Sequence, residues 1–144
     1  MPIKFPKLNQ IILLIILAEF IFVTATTLVS PIFALYITED IGATARVVGF
    51  AVAVYWIVKS ILQLPIARFI DKNHGEIDDY YSMIGGLLIT TVGVFLFYFA
   101  KNEWHIYAIQ FLIAVGDSFV VPQFYAIFTR HIDKDQEGFE WSLR

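Results

Sequence analysis

Three ionisable residues stand inside long apolar runs of this sequence: Glu19, Lys59 and Asp117. A charge at the centre of a bilayer costs on the order of 2.5 to 3.5 kcal/mol on insertion scales, so such residues face a partner or a water-filled cavity. Each lies on a helical face that is already polar or small. Glu19, Thr26 and Ser30 are separated by 7 and 4 residues, Tyr55, Lys59 and Gln63 by 4 and 4, and Gln110 and Asp117 by 7 with Ala114 between them. Such spacings stack side chains on one stripe of a helix. At about 1.5 Å of rise per residue, each charge lies roughly 15 to 20 Å from the same-side end of its span, near the midplane of a ~30 Å core. The chemistry this permits is a shared internal cavity in which Lys59 is counter-ion to Glu19 or Asp117, while the other acid carries a proton or a cationic group. The alternative is a fixed ion pair that locks helices together.

The elements that would position these residues are set by composition. The chain has 144 residues, of which 58% are hydrophobic and 16% charged, and its mean hydropathy is +0.71; soluble domains carry about 25% charged residues. Four apolar runs cover 11–37, 46–70, 80–100 and 104–129, each near or above the about 20 residues a helix needs to cross a bilayer. The expected fold is all-α and integral to the membrane, with four transmembrane helices in a single domain over 1–144. Barrel strands are set aside, because runs this long satisfy their backbone groups as helices. The short link Lys101-Asn102-Glu103 makes the third and fourth spans antiparallel neighbours. Between the second and third lies the charge-dense stretch from Arg68 to Asp79, read as a polar turn.

The first apolar run follows Lys4 and Lys7 but is longer than the about 7 to 15 residues of a signal core, so it reads as a retained span. Lys4, Lys7, Arg68, Lys72, Arg130 and Lys134 fall on one side, Arg46 and Lys101 on the other. That excess predicts a multi-pass cell-membrane protein with both termini cytoplasmic. Gly49, Ala51, Ala53, Gly85, Gly86, Gly93, Ala114 and Ser118 mark places where membrane helices can approach closely. Pro31, Pro65 and Pro122 sit within or near span ends, where freed carbonyls permit kinks.

Several function classes fall away. Cysteine is absent and the net charge is only -3 with no basic block, which argues against thiol chemistry and a nucleic-acid partner. His74, His105 and His131 lack metal-ligand spacing, no nucleophile stands at a readable spacing from a base, and no glycine-rich phosphate loop follows a strand. No enzyme, cofactor or metal is expected; the expected partners are the lipid bilayer and a small-molecule substrate.

The segment from Gln63 to Gly75, QLPIARFIDKNHG, resembles the signature between the second and third spans of major facilitator superfamily transporters, G-x-L-x-D-R-x-G-R-R. Asp71 and Lys72 fall on its acid and base, Ala67 replaces its leading glycine, and Gly75 arrives one residue late. Gln110 to Gly116, QFLIAVG, is similar to the family's R-x-x-x-G-x-G, with Gln110 in place of the arginine. The resemblance implies the first part of the N-terminal half of a two-half transporter that works by alternating access. It makes Asp71, Lys72 and Gly75 a gating turn, and places Glu19 and Asp117 in the substrate cavity with Thr26 and Gln110 as polar contacts. With no arginine at Gln110, Glu19, Lys59 and Asp117 remain as coupling candidates, protons being the candidate ion. A missing C-terminal half or an oligomeric partner would complete the unit, and the sequence from Arg130 to Arg144 reads as a polar turn entering a further helix. Two other readings stand beside it. Ile16 to Ile21 around Glu19 is similar to small multidrug resistance transporters, four-span dimers that exchange protons for cationic drugs; the other is a non-transporting membrane remnant.

Overall fold

The computed structural model describes residues 9–73 and 75–143; the lead with Lys4 and Lys7, together with His74 and Arg144, lies outside the described residues. Helix α1 (Gln10–Leu35) starts at Asn9, whose side chain accepts from the Ile11 N–H at 3.0 Å, satisfying one of the amides left free at a helix start. It continues into a π-helical turn, Tyr36–Asp40. Gly42 then adopts φ +71, a conformation open to glycine at little cost. The turn lets the Ala43 N–H reach back to the Ile37 carbonyl at 3.0 Å.

Helix α2 (Ala45–Ile70) passes through a 3-10 turn, Asp71–Asn73, to helix α3 (Glu76–Leu96), capped by Gly75. The third apolar run begins at Tyr80, yet α3 begins at Glu76. Glu76, Asp78 and Asp79 occupy its first turn, where carboxylates meet the positive end of the helix dipole. The charge-dense stretch is therefore mostly helical, divided between the end of α2 and the start of α3. After a 3-10 turn, Phe97–Phe99, comes α4 (Glu103–His131). Asn102 accepts from the His105 N–H and His105 Nδ1 accepts from the Lys101 N–H, both at 3.1 Å; His105 is a capping residue. A short helix, α5 (Glu137–Ser142), follows.

Helices α1 to α4 are long and apolar enough to cross a membrane. The centre of the bundle is α4, which packs along α2 on one side and α3 on the other, with lighter contact to α1. Small residues decide this. A methyl added to Gly86 would sit 2.6 Å from the Gly116 carbonyl oxygen, and one on Gly93 would sit 2.6 Å from Ile113 Cγ1. Residues 86 and 93 thus face 116 and 113 in descending order, an antiparallel seam of the small-residue kind found between membrane helices. Gly49 and Gly85 meet nothing within 4 Å and take no part in close packing. Large apolar side chains such as Leu64, Phe95 and Trp104 point outward, as suits a surface solvated by lipid. At the end where α1 finishes, Ile37, Val47, Ala51 and Ile106 form a buried cluster, and Tyr36 donates its hydroxyl proton to the Phe97 carbonyl at 2.7 Å.

Candidate functional site

Asp117 lies at the middle of α4, about 21 Å from either end by helical rise, and is buried. Its two oxygens are held from different helices. Tyr55 of α2 donates its hydroxyl proton to Oδ2 at 2.6 Å, and Thr90 of α3 donates to Oδ1 at 2.9 Å. Lys59, one turn along α2 from Tyr55, donates from Nζ to the Tyr55 hydroxyl at 2.9 Å. Its ammonium also lies 5.2 Å from the ring centroids of Tyr55 and Trp56, within cation–π range. The result is an ordered chain, amine to phenol to carboxylate, with a threonine on the far oxygen. The counter-ion relation expected between Lys59 and Asp117 runs through the Tyr55 hydroxyl.

The close α3–α4 seam is what brings Thr90 to Asp117. Gly116 is the neighbour of Asp117 in sequence, and a methyl there would crowd the Thr90 hydroxyl and lie 2.8 Å from both the Gly86 carbonyl oxygen and the Thr90 nitrogen. Ser118, on the other side, is fully buried and bonds its own helix at the Ala114 carbonyl, 2.7 Å away. Hydrogen bonds to a carboxylate are stronger than neutral ones, and in apolar surroundings a charge is tolerated only with such partners.

Glu19 stands elsewhere. It lines a cavity of about 440 Å³ between α1, α3 and α4, among Phe22, Met83, Leu87, Phe124 and Tyr125. Among the described residues neither Lys59 nor Asp117 lines that cavity, whereas depth and spacing predict a single shared one. Depth along a helix was readable; which helix stood opposite was not. Thr26 is exposed and donates to the Phe22 and Val23 carbonyls of its own helix, each at 3.0 Å. Gln110 is half-buried on the Asp117 stripe, two turns away.

At the end of the bundle where α1 and α3 begin, Asp71 lines a second cavity of about 440 Å³ with Ala67, Pro122, Tyr125, Thr129 and Arg130. Lys72 is exposed beside it and Gly75 caps α3. Among the described residues, the ion pairs at this end join other side chains. Arg130 pairs with Asp79, which is only 1% exposed, and His131 Nε2 lies 3.5 Å from Glu76 Oε1. Glu140 of α5 is fully buried and accepts from the Asp133 N–H at 3.2 Å. Thr90, Asp79 and Glu140 went unremarked as site residues in the sequence. Thr90 lies four residues from Gly86 and three from Gly93, a helical stripe that could have marked it; the Asp79 and Arg130 pairing needed the antiparallel register.

The family model described as Major Facilitator Superfamily matches residues 15–144. Neither a curated protein nor a solved structure matches the chain. The match takes in most of α1, all of α2 to α4 and the Tyr55, Lys59, Thr90 and Asp117 cluster, and members of the family are transporters. The chain belongs to the Major Facilitator Superfamily, as a multi-pass membrane transporter of that kind.

Proposed function

We propose that the protein is a secondary active transporter of a small solute, working by alternating access, with Asp117 as the coupling acid and protons as the coupling ion. The observation that carries this is the half-buried chain Lys59–Tyr55 leading to Asp117, which is buried midway along α4, with Thr90 on the far carboxylate oxygen. As drawn, the Tyr55 hydroxyl accepts from an ammonium and donates to a carboxylate. Protonating Asp117 removes the charge that Lys59 faces through that hydroxyl, so the ammonium gains a reason to turn elsewhere. A change of this kind gives one proton two arrangements of the same helices, which is what coupling to a rocking motion requires. Gln110 would extend the polar stripe, and Glu19 and Thr26 would serve the solute from α1.

In this reading Asp71, Lys72 and Gly75 form the gating turn, with the Asp79 and Arg130 pair fastening α3 to α4 beside it. The four helices act with a further helical body, either a C-terminal half or an oligomeric partner, since alternating access needs two bodies to rock. The unit sits in the cell membrane with both termini cytoplasmic, as the distribution of Lys and Arg supports. The family match over residues 15–144 favours this over a four-span dimeric drug exporter.

The test is solute-driven proton flux in proteoliposomes, read with an internal pH dye across a panel of cationic, zwitterionic and neutral solutes. Asp117→Asn should abolish the flux. Lys72→Gln should slow it without changing which solute elicits it. Undiminished flux in the Asp117→Asn variant would remove Asp117 from the mechanism.

A further inference from the structure

The cavity between α1, α3 and α4 has the features of a ligand site separate from the Asp117 cluster. Its volume of about 440 Å³ falls within the roughly 300 to 1,000 Å³ of small-molecule sites. Among the described residues, Glu19 is the single charged side chain on its wall, and the remainder is aliphatic or aromatic. Phe22 approaches from α1, and Phe124 and Tyr125 from α4. Tyr55, Lys59, Thr90 and Asp117 are all absent from the lining.

These walls select by chemistry. An anion would meet the carboxylate of Glu19. A sugar or a hydrated metal ion would lose water and find too few polar partners to replace it. A molecule with one positive charge and an apolar body loses little on entering: the carboxylate faces its charge, the ring faces attract it, and the aliphatic walls take up the rest. Helix α1 packs only lightly on α4, in contrast to the close α3–α4 seam, so a molecule entering between α1 and α4 has little protein to displace.

We infer that this cavity binds a monovalent lipophilic organic cation, with Glu19 as its counter-charge. The inference rests on the reading of the chain as a transporter and names its substrate class. Binding belongs to Glu19 and coupling to Asp117, so the two assignments can fail separately.

The experiment is equilibrium binding of radiolabelled tetraphenylphosphonium to the purified full chain in detergent, with protein-free micelles subtracted. The native chain should bind it saturably. Glu19→Gln should weaken binding at least about tenfold, the effect of losing about 1.4 kcal/mol, while Glu19→Asp keeps most of it. Leu87→Trp, which fills the hollow, should abolish it. Tetraphenylborate, equal in shape and opposite in charge, should not displace the cation. Asp117→Asn should leave the affinity unchanged while abolishing proton flux. Circular dichroism confirms that each variant keeps its helices, and the Glu19→Asp and Leu87→Trp results decide if Glu19→Gln does not fold. Equal affinity in Glu19→Gln, displacement by tetraphenylborate, or no saturable binding by the native chain overturns the inference. Normal cation binding with proton flux intact in Asp117→Asn would instead overturn the coupling role alone.

Discussion

Replacing Gly116 by alanine should loosen the α3–α4 seam and the Asp117 site together. The new methyl would lie 2.8 Å from the Gly86 carbonyl oxygen and from the Thr90 nitrogen, whereas ordinary contact begins near 3.4 Å, so the two backbones must part by about 0.6 Å. Both neighbours are backbone atoms and cannot swing aside. A displacement of that size carries the 2.9 Å bond from Thr90 to Asp117 to the edge of hydrogen-bond range. Overpacking of this kind costs roughly 1 to 3 kcal/mol, and the weakened hydrogen bond adds about 0.6 kcal/mol, the average for membrane interiors. Against this, alanine gains up to about 1 kcal/mol over glycine in helix propensity. The net expectation is a loss of about 2 kcal/mol, or about thirtyfold in the unfolding equilibrium. Gly85→Ala is the control, because its methyl meets nothing within 4 Å and should be neutral or stabilising. Reversible unfolding in sodium dodecyl sulfate, followed by helical circular dichroism, measures both. A difference below about 0.5 kcal/mol between the two variants would refute the reasoning, since additive scatter alone reaches that size.

Tyr55→Phe removes the hydroxyl that joins Lys59 to Asp117 and should lower solute-driven proton flux at least about tenfold while costing less than about 1.7 kcal/mol in stability. In an Asp117→Asn background, where no flux remains to be lost, the same change should cost little further stability, and an undiminished stability loss there would break the proposed chain. Asp79→Asn leaves Arg130 without its partner and should destabilise by about 1 to 3 kcal/mol, with the exchanged pair Asp79→Arg and Arg130→Asp recovering part of the loss in the same unfolding assay. Gln123 is buried with Oε1 lacking a hydrogen-bond partner among the described residues, so Gln123→Met should stabilise by about 1 kcal/mol. Trp141→Ala removes an edge-to-face contact with Phe128, centroids 4.8 Å apart; it should free α5, with faster proteolysis near Lys134 as the measure.

Much of the fold was legible because a bilayer leaves few choices. Runs of about 20 apolar residues must be helices, and α1 to α4 lie close to the four runs read from composition. The largest shift was at α3, where three acids that looked like loop residues stabilise a helix start. The site was legible along each helix and not between helices. Spacing placed Tyr55 and Lys59 on one stripe and Asp117 on another, both at mid-span. It could not say that α4 would stand between α2 and α3 while α1 stood aside. For the same reason spacing could not tell that Glu19, expected at a depth close to that of Asp117, would line a cavity whose wall does not include Asp117.

What the amino-acid sequence determined by itself is therefore one-dimensional: which segments cross the membrane, how deep each charge lies, and which face of its own helix it occupies. Those follow from local quantities, the 1.5 Å rise, the 3.6-residue turn and the cost of exposing a backbone group to lipid. The tertiary structure decided the neighbours. Gly86, Gly93 and Gly116 let α3 approach α4 closely enough for Thr90 to reach Asp117, and Tyr55 came to stand between Lys59 and the acid. Such outcomes depend on contacts of a few ångströms between residues far apart in the chain. No periodicity within a single helix encodes them.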